Sequence, residues 1–283
     1  MPAFTNQATL RYNNTFTNSN IVTGQIVEVL SATKTALTPS YAPGNAVTYV
    51  VSIVNSGTLP FTGLTVSDDL GGYTFGTETL YPLTYVDGSV LYLQDGAPQA
   101  DPAVTAGPPL LFGGITVPAG GNATLIYQAT ANNFAPLAAG SQITNTVTIT
   151  GGGLSAPVTA QETVSVQDGA DLGITKAVSP VPVAENGRLT YTFVIRNQGN
   201  TEAVATDNLA VTDTFDPILT DLVVTLDGVT LVEGTDYTYN PATGEFATTA
   251  GRITVPAAEV AQAPDGSWTV APGTSTLVVT GTV

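Results

Sequence analysis

Three polar residues stand on the apolar faces of predicted strands, and together they could do chemistry. Lys34, Asp68 and Asn145 each have apolar residues two positions away on both sides, as in Ile143-Thr-Asn-Thr-Val147. Because side chains at i and i+2 of a strand share a face, the pattern predicts that all three point into a core. Burying them apart would cost several kcal/mol, so we expect them to meet.

A second set of the same residue types recurs in the sequence. Lys176 is flanked by apolar neighbours at the same spacing, and so are Asp213 and Asn6. Lys34 and Lys176 are the only lysines in the chain. Asn6, however, stands near the start of the chain, far in sequence from Lys176. The pattern therefore predicts a second Lys, Asp, Asn set whose asparagine is supplied by a neighbouring subunit.

Such a set has two interpretations. In the first, lysine and aspartate form a buried ion pair to which asparagine is hydrogen-bonded. In the second, burial lowers the pKa of the amine and raises that of the carboxyl, so a neutral lysine attacks the asparagine carboxamide carbon. The protonated aspartic acid polarises the carboxamide oxygen and moves protons, ammonia leaves, and an isopeptide bond remains. The sequence leaves both interpretations open.

The chain is an internal duplication with a period of about half its length. Phe4-Thr-Asn-Gln-Ala-Thr-Leu10 matches Ile143-Thr-Asn-Thr-Val-Thr-Ile149, and Val47-Thr-Tyr-Val-Val-Ser-Ile-Val-Asn55 matches Leu189-Thr-Tyr-Thr-Phe-Val-Ile-Arg-Asn197. Agreement over several segments at one spacing indicates two copies of one structural unit.

The two copies are out of phase with the ends of the chain. The second copy stops at Val283, which matches Ala131 of the first copy, so it has no equivalents of the predicted strands 143–150 and 158–166. Segments resembling those strands, 4–12 and 21–30, instead precede the first copy. We therefore expect N-terminal donor strands in 1–30, a first domain in 31–170, and a second domain in 171–283 that lacks its closing strands.

The composition sets the fold class and excludes several functions. Glycine and proline are abundant at 29 and 19 residues, charged residues make up only 10%, and Val/Thr/Ile/Tyr alternations run throughout, which predicts an all-β protein. A net charge of −16 argues against nucleic-acid partners, and no segment has the length and character of a membrane span. Without cysteine or histidine, we expect no metal, no cofactor and no hydrolytic enzyme.

The start of the chain, Met-Pro-Ala-Phe, has neither the basic nor the apolar region of a signal peptide. We expect either that a leader has been removed or that the protein reaches its site by another route.

The order Lys34, Asp68, Asn145 resembles self-crosslinking immunoglobulin-like domains of bacterial pilins and adhesins. The segments Lys176-Ala-Val-Ser-Pro180, Val211-Thr-Asp-Thr-Phe215 and Ile143-Thr-Asn-Thr-Val-Thr also resemble the conserved-repeat domain of bacterial surface proteins, numbered eleven among domains of unknown function. This resemblance covers nearly the whole chain except 236–265, and two such repeats resemble spore-appendage subunits. It implies tandem immunoglobulin-like sandwiches, an extracellular place on a bacterial cell or spore, and a surface anchor protein as a partner.

An immunoglobulin-like sandwich without its last strands has an open edge, which natural sheets avoid. The sequence therefore predicts a structural subunit that polymerises with itself, head to tail, by donating its N-terminal strands to the second domain of a neighbour. The anchoring side chains would be Phe4, Ala8, Leu10 and Tyr12. The alternative is an adhesin or spacer module of a larger surface protein; insertion of the strands into the same chain also remains open.

Overall fold

The computed structural model describes residues 3–283, and its regular structure is almost entirely β, which confirms the predicted class. The exception is a short 3-10 turn at Ala205–Asp207. The chain forms two compact units. Unit one takes the chain up to Ala135 together with Gln142–Ser165, and unit two takes Pro136–Ser141 together with Val166–Val283.

Among residues 3–283, no helix is long and apolar enough to cross a bilayer.

The N-terminal segment is a hairpin of four short strands, which we call the donor hairpin (residues 3–25). The two outer strands pair at the base of the hairpin, and the two inner strands pair at its tip. Asn13 and Asn14 join the tip strands with φ of 41° and 64°, as a type I′ turn requires. The strands are β1 (Ala3–Asn6), β2 (Thr9–Tyr12), β3 (Thr15–Asn18) and β4 (Val22–Gln25), with β1 paired to β4 and β2 to β3.

The donor hairpin leaves its apolar side chains in solvent. Leu10 is 66% exposed and Tyr12 is 72% exposed, while Phe4 is also exposed. The sequence placed a second strand at 21–30, but the structure ends that strand at Gln25 and adds β3 before it. The tight turn at Asn13 and Asn14 accounts for β3, because it folds the chain back on β2 and pairs Tyr12 with Thr15.

Unit one is a sandwich of two six-stranded sheets. The strands are β5 (Leu30–Ala36), β6 (Ser40–Tyr41), β7 (Ala46–Asn55), β8 (Phe61–Asp68), β9 (Tyr73–Phe75), β10 (Glu78–Leu80), β11 (Leu83–Tyr85), β12 (Leu91–Gln94), β13 (Ala97–Pro98), β14 (Ala103–Thr105), β15 (Leu110–Val117), β16 (Asn122–Ala131), β17 (Gln142–Gly151) and β18 (Val158–Val166). One sheet has the order β13-β12-β16-β7-β5, with β11 also paired to β16; the other has the order β14-β15-β8-β17-β18-β6. Alternate residues of the long strands are buried between the sheets, as in β7.

Unit two has smaller sheets around its own core. The strands are β19 (Leu172–Ser179), β20 (Arg188–Asn197), β21 (Thr212–Thr214), β22 (Thr220–Leu226), β23 (Val229–Thr230), β24 (Tyr237–Tyr239), β25 (Glu245–Thr248), β26 (Glu259–Gln262), β27 (Trp268–Ala271) and β28 (Gly273–Thr282). A five-stranded sheet has the order β19-β20-β28-β22-β23, and a three-stranded sheet has the order β21-β25-β24. Phe215, Ile253, Leu277 and Val279 are among the residues buried in the core of this unit.

The two units share part of their strand plan, and they differ beside the strand that carries the aspartate. β19, β20 and β28 pair as β5, β7 and β16 do, and β21 matches β8 in the sequence repeat. In unit one β8 lies between β15 and β17, whereas β21 pairs with β25 and is the edge strand of its sheet. Every residue of β19 is exposed, although β5 buries Leu30 and Lys34. Unit two is therefore open on the side where β17 closes unit one.

A matching asparagine secures a loop in each unit. Asn55 donates to the carbonyls of Leu59 and Pro118 at 2.8 and 2.9 Å and accepts from the Gly57 amide at 2.9 Å. Asn197, its repeat partner, is likewise buried and hydrogen-bonded to four backbone groups of its own loops. These residues satisfy buried main-chain groups, so their role is structural.

Candidate functional site

The first predicted set lies in the core of unit one. Lys34 on β5 and Asp68 at the end of β8 come from opposite sheets, and their Nζ and Oδ2 atoms are 2.7 Å apart. Both side chains are 0% exposed. The other carboxylate oxygen, Oδ1, accepts a hydrogen bond from the Leu70 amide at 2.7 Å. The structure thus contains a buried ion pair at the place where alternation in the sequence put these two residues.

Two tyrosines that the sequence analysis did not single out enclose this pair. The Tyr127 hydroxyl donates to Asp68 Oδ2, the same oxygen that faces Lys34. The Lys34 Nζ atom lies 4.7 Å from the ring centroid of Tyr49 and 6.0 Å from that of Tyr127, within range of cation–π attraction. Both tyrosines lie on the buried faces of β7 and β16. The alternation of apolar and polar residues along these two strands could therefore have predicted that Tyr49 and Tyr127 face the core.

Burial shifts the proton equilibria of this cluster. Removal from water lowers the pKa of the Lys34 amine, and the nearby Asp68 carboxylate only partly opposes this. Burial also raises the pKa of the Tyr49 and Tyr127 hydroxyls above their usual range, with the Asp68 charge adding to the effect at Tyr127. The lowered pKa increases the share of neutral amine, the form that acts as a nucleophile.

Asn145 is buried in the same core without a hydrogen-bond partner. Its residue is 0% exposed, and neither its Nδ2 nor its Oδ1 atom is hydrogen-bonded to any of residues 3–283. It lies on β17 two positions before Val147, which pairs directly with Asp68, so Asn145 and Asp68 share a face as diagonal neighbours. An unsatisfied buried group of this kind costs about 1–3 kcal/mol. The carboxamide faces the hydroxyl of Tyr49, whose ring packs against Lys34, although no hydrogen bond of good geometry joins the two side chains. A bond between Lys34 and Asn145 stays a prediction.

The second set is only partly assembled. Lys176 on β19 faces inward, with Nζ 2.5 Å from Asp213 Oδ2 and 4.6 Å from the ring centroid of Tyr191. Its side chain is nevertheless 42% exposed, and that of Asp213 is 17% exposed. The sequence predicted a buried lysine here; the structure differs because unit two has no strand in the position of β17 among the described residues.

Asn6, the third predicted member, is not brought to this pair. It lies on β1, is exposed, and pairs across the hairpin with Val22. The predicted anchors Phe4, Ala8 and Leu10 are exposed on the same hairpin. These placements leave the asparagine position of the second set empty within unit two.

An apolar cleft marks the open side of unit two. We call it the acceptor cleft; its volume is about 170 Å³, and it lies between β19 and the segment that leads into β21. The apolar side chains that line it include Leu172, Ile174, Leu209, Val211 and Ile253. Leu172 and Ile174 are exposed there, so the open side presents apolar surface beside the Lys176 pair.

Among residues 3–283, no group of three or more carboxylate side chains is arranged to hold a metal ion.

Comparisons with known proteins found no matching family model and no matching curated protein. Among solved structures, the chain resembles BcpA, the major pilin subunit of Bacillus cereus, with a TM-score of 0.37 and 13% identity over 96% of this chain and 73% of that chain. It also resembles a 35 kDa C-terminal fragment of GBS80, the major pilin of Streptococcus agalactiae, with a TM-score of 0.36 and 12% identity over 87% and 91%.

A third similar structure is a collagen-binding domain from a Staphylococcus aureus adhesin, with a TM-score of 0.30 and 11% identity over 51% of this chain and all (100%) of that domain. These three similar structures are two pilins and one adhesin domain. Their TM-scores all lie below 0.5, which is too low to indicate a shared function.

Proposed function

We propose that this protein is the structural subunit of an extracellular bacterial filament, in which the donor hairpin of one subunit closes unit two of the next. The observation that carries the proposal is the open edge of β21 beside the acceptor cleft, in a chain whose own N-terminus repeats the sequence of the missing strand. Open edges of this kind promote strand addition.

Unit one supplies the register for that strand. There, Val147 of β17 pairs with Asp68 of β8, and Ile149 pairs with Val66. Carrying this register through the sequence repeat places Ala8 opposite Asp213 and Leu10 opposite Val211 of the neighbour. The same shift places Asn6 where Asn145 stands, beside the lysine and aspartate.

The acceptor cleft fits the side chains that this register delivers. Leu10 would stand opposite Val211 and Tyr12 opposite Leu209, and both of these acceptor residues line the cleft. Leu10 and Tyr12 are exposed in the hairpin, so insertion removes their apolar surface and that of the cleft from water together. Since the hairpin is already folded, less conformational entropy is lost on binding than with a disordered strand.

Insertion into a different subunit is favoured by the order of the strands along the chain. β17 and β18 close unit one directly before the chain enters unit two, so the donor hairpin by analogy closes a unit that precedes β5. The donor and acceptor surfaces are different, so each contact leaves a free hairpin at one end and a free cleft at the other. Such heterologous contacts continue into an open filament when their rotation does not close a ring.

The lysines supply a covalent lock. Lys34 and Asn145 would form an isopeptide bond within unit one, supported by the buried ion pair, the lowered pKa of Lys34 and the unpartnered carboxamide of Asn145. Lys176 and Asn6 of the neighbour would form the equivalent bond across the joint. In each case the lysine nitrogen bonds to the asparagine Cγ, the Cγ–Nδ2 bond breaks, and one ammonia leaves. The role is structural, with chemistry limited to these single self-reactions.

The place of action is the surface of a bacterial cell or spore, where a filament base would bind an anchor protein. Charged residues make up only 10% of the chain, yet the net charge is −16. This composition fits a surface rich in β-sheet that is kept soluble by its net negative charge.

Substitution of one anchor tests polymerisation. Leu10→Asp places a carboxylate where the cleft is apolar, but Leu10 is exposed in the free hairpin, so the subunit itself should fold normally. We expect filaments of the wild-type protein in electron micrographs and monomers of Leu10→Asp in size-exclusion chromatography. Arg11→Asp, on the opposite face of the same strand, is the matched control and should polymerise.

Filaments of Leu10→Asp would refute donation through this strand. A wild-type protein that stays monomeric at high concentration would instead favour the spacer module of a larger surface protein.

A further inference from the structure

The two lysines have nearly the same surroundings but a different cover. The amine of Lys34 lies 4.7 Å from the Tyr49 ring centroid, and that of Lys176 lies 4.6 Å from its repeat partner Tyr191. Each amine also reaches one aspartate oxygen, at 2.7 and 2.5 Å. Yet the Lys34 side chain is 0% exposed, whereas 42% of the Lys176 side chain is in solvent. The lysine, the aspartate and one aromatic ring are thus present in both sites. Unit two differs in its missing cover and in having Val279 where Tyr127 donates to Asp68 in unit one.

In unit one, β17 provides cover and reactant at the same time. It fills the sheet position beside β8, next to the Lys34 ion pair, and it carries Asn145. A strand in this position cannot exclude water without also delivering the carboxamide. The equivalent strand of a donor hairpin, with Asn6, would have the same double effect on unit two.

We propose that Lys176 is a nucleophile gated by assembly: solvated and unreactive in the free subunit, and activated only when an incoming donor hairpin buries it beside Asn6. This inference rests on the proposed insertion of the hairpin. On burial, the ammonium proton passes to Asp213, and the neutral amine forms a bond to Asn6 Cγ. Asp213 then gives this proton to Nδ2 and takes a second proton from the lysine nitrogen as the Cγ–Nδ2 bond breaks. Neutral ammonia leaves and Asp213 ends protonated, so atoms and charge balance.

Gating confines the reaction to finished joints. In a free subunit water reaches the Lys176 amine, because 42% of its side chain is exposed. Misplaced or partial insertion leaves water at the site and produces no bond. Each correctly seated joint, by contrast, becomes permanent without any added enzyme.

The test uses the full-length Leu10→Asp chain, which retains the acceptor cleft, and a synthetic peptide of residues 3–25 as the donor. An amine-acylating reagent, N-hydroxysuccinimidyl acetate, reports which lysine is accessible, and peptide mass spectrometry locates the label. Because the chain has two lysines, Lys34 serves as an internal buried control. We expect label on Lys176 and none on Lys34 in the chain alone.

Adding the peptide should abolish labelling of Lys176. A covalent adduct should then form, and its mass should equal the masses of the chain and the peptide together minus one ammonia. A peptide with Asn6→Ala should protect Lys176 without forming the adduct, and a peptide with Leu10→Asp should do neither.

Failure of this inference can be told apart from failure of the proposed function. If Lys176 resists the reagent before the peptide is added, or stays labelled in the bound complex, gating by burial is refuted while insertion stands. If Lys176 is protected but no adduct forms, the joint is not covalent. If the peptide neither protects nor reacts, insertion itself is wrong and both proposals fall.

Discussion

Replacing Asn145 by leucine should reveal by the sign of its effect whether unit one is crosslinked. If Asn145 has reacted with Lys34, the bond closes a loop of about 100 residues, and losing such a crosslink costs about 4.7 kcal/mol of loop-closure entropy. If it has not reacted, the substitution removes a buried carboxamide without partners and should stabilise unit one by about 1–3 kcal/mol. The proposed isopeptide bond requires the first result.

Differential scanning calorimetry of the Leu10→Asp background measures this without interference from polymerisation. For a unit of this size, a loss of about 4.7 kcal/mol should lower the transition of unit one by about 10–20 °C. The transition of unit two should not move, which makes it the internal control. Mass spectrometry should show one ammonia missing from the parent chain and none missing from the Asn145→Leu variant.

A rise in the unit-one transition, together with a parent chain of full mass, would refute the crosslink. Lys34 and Asp68 would then be a structural ion pair with an unsatisfied asparagine beside it.

Three further outcomes follow from the structure. Burial raises the pKa of Tyr127 above its usual 10.0, so its contribution to stability is present below pH 10 and is lost as the pH rises. The free energy of unfolding, measured by guanidinium denaturation, should therefore fall less steeply above pH 10 in Tyr127→Phe than in the parent chain. The difference in slope should be up to about 1.4 kcal/mol per pH unit. Asn197→Ala leaves buried backbone groups unsatisfied and should lower unit-two stability by about 1–3 kcal/mol in calorimetry, with unit one unchanged. Asn14→Val puts a β-branched residue at a φ of 64° and should slow polymerisation, measured by light scattering, whereas Asn14→Gly should not. Equal polymerisation rates for the two variants would show that a preformed turn is unnecessary.

Alternation in the sequence was enough to predict the all-β class and the inward direction of several polar side chains. Lys34, Asp68 and Asn145 are all buried, and β17 covers Gln142–Gly151 where a strand was predicted at 143–150. This worked because a period of two fixes the face of each residue within a strand.

Contacts between strands could not be predicted in the same way. The hydrogen bond from Tyr127 to Asp68 joins two sheets, so it depends on the register and packing of both, which no single strand contains. The exposure of Lys176 was missed for a related reason. The face on which its side chain lies depends on β19 alone, but its burial depends on whether another strand packs over it. The turn at Asn13 and Asn14 was overlooked because asparagine is less obvious than glycine at positive φ.

In the proposed filament, one tip of the growing fibre would present a folded donor hairpin and the other an open acceptor cleft. Such a fibre would have direction, and its two tips would have to be blocked by different agents. A free hairpin peptide would fill every open cleft and terminate growth from that tip alone. Fibre length could then be set by the ratio of plug to subunit, with no change to the subunit itself.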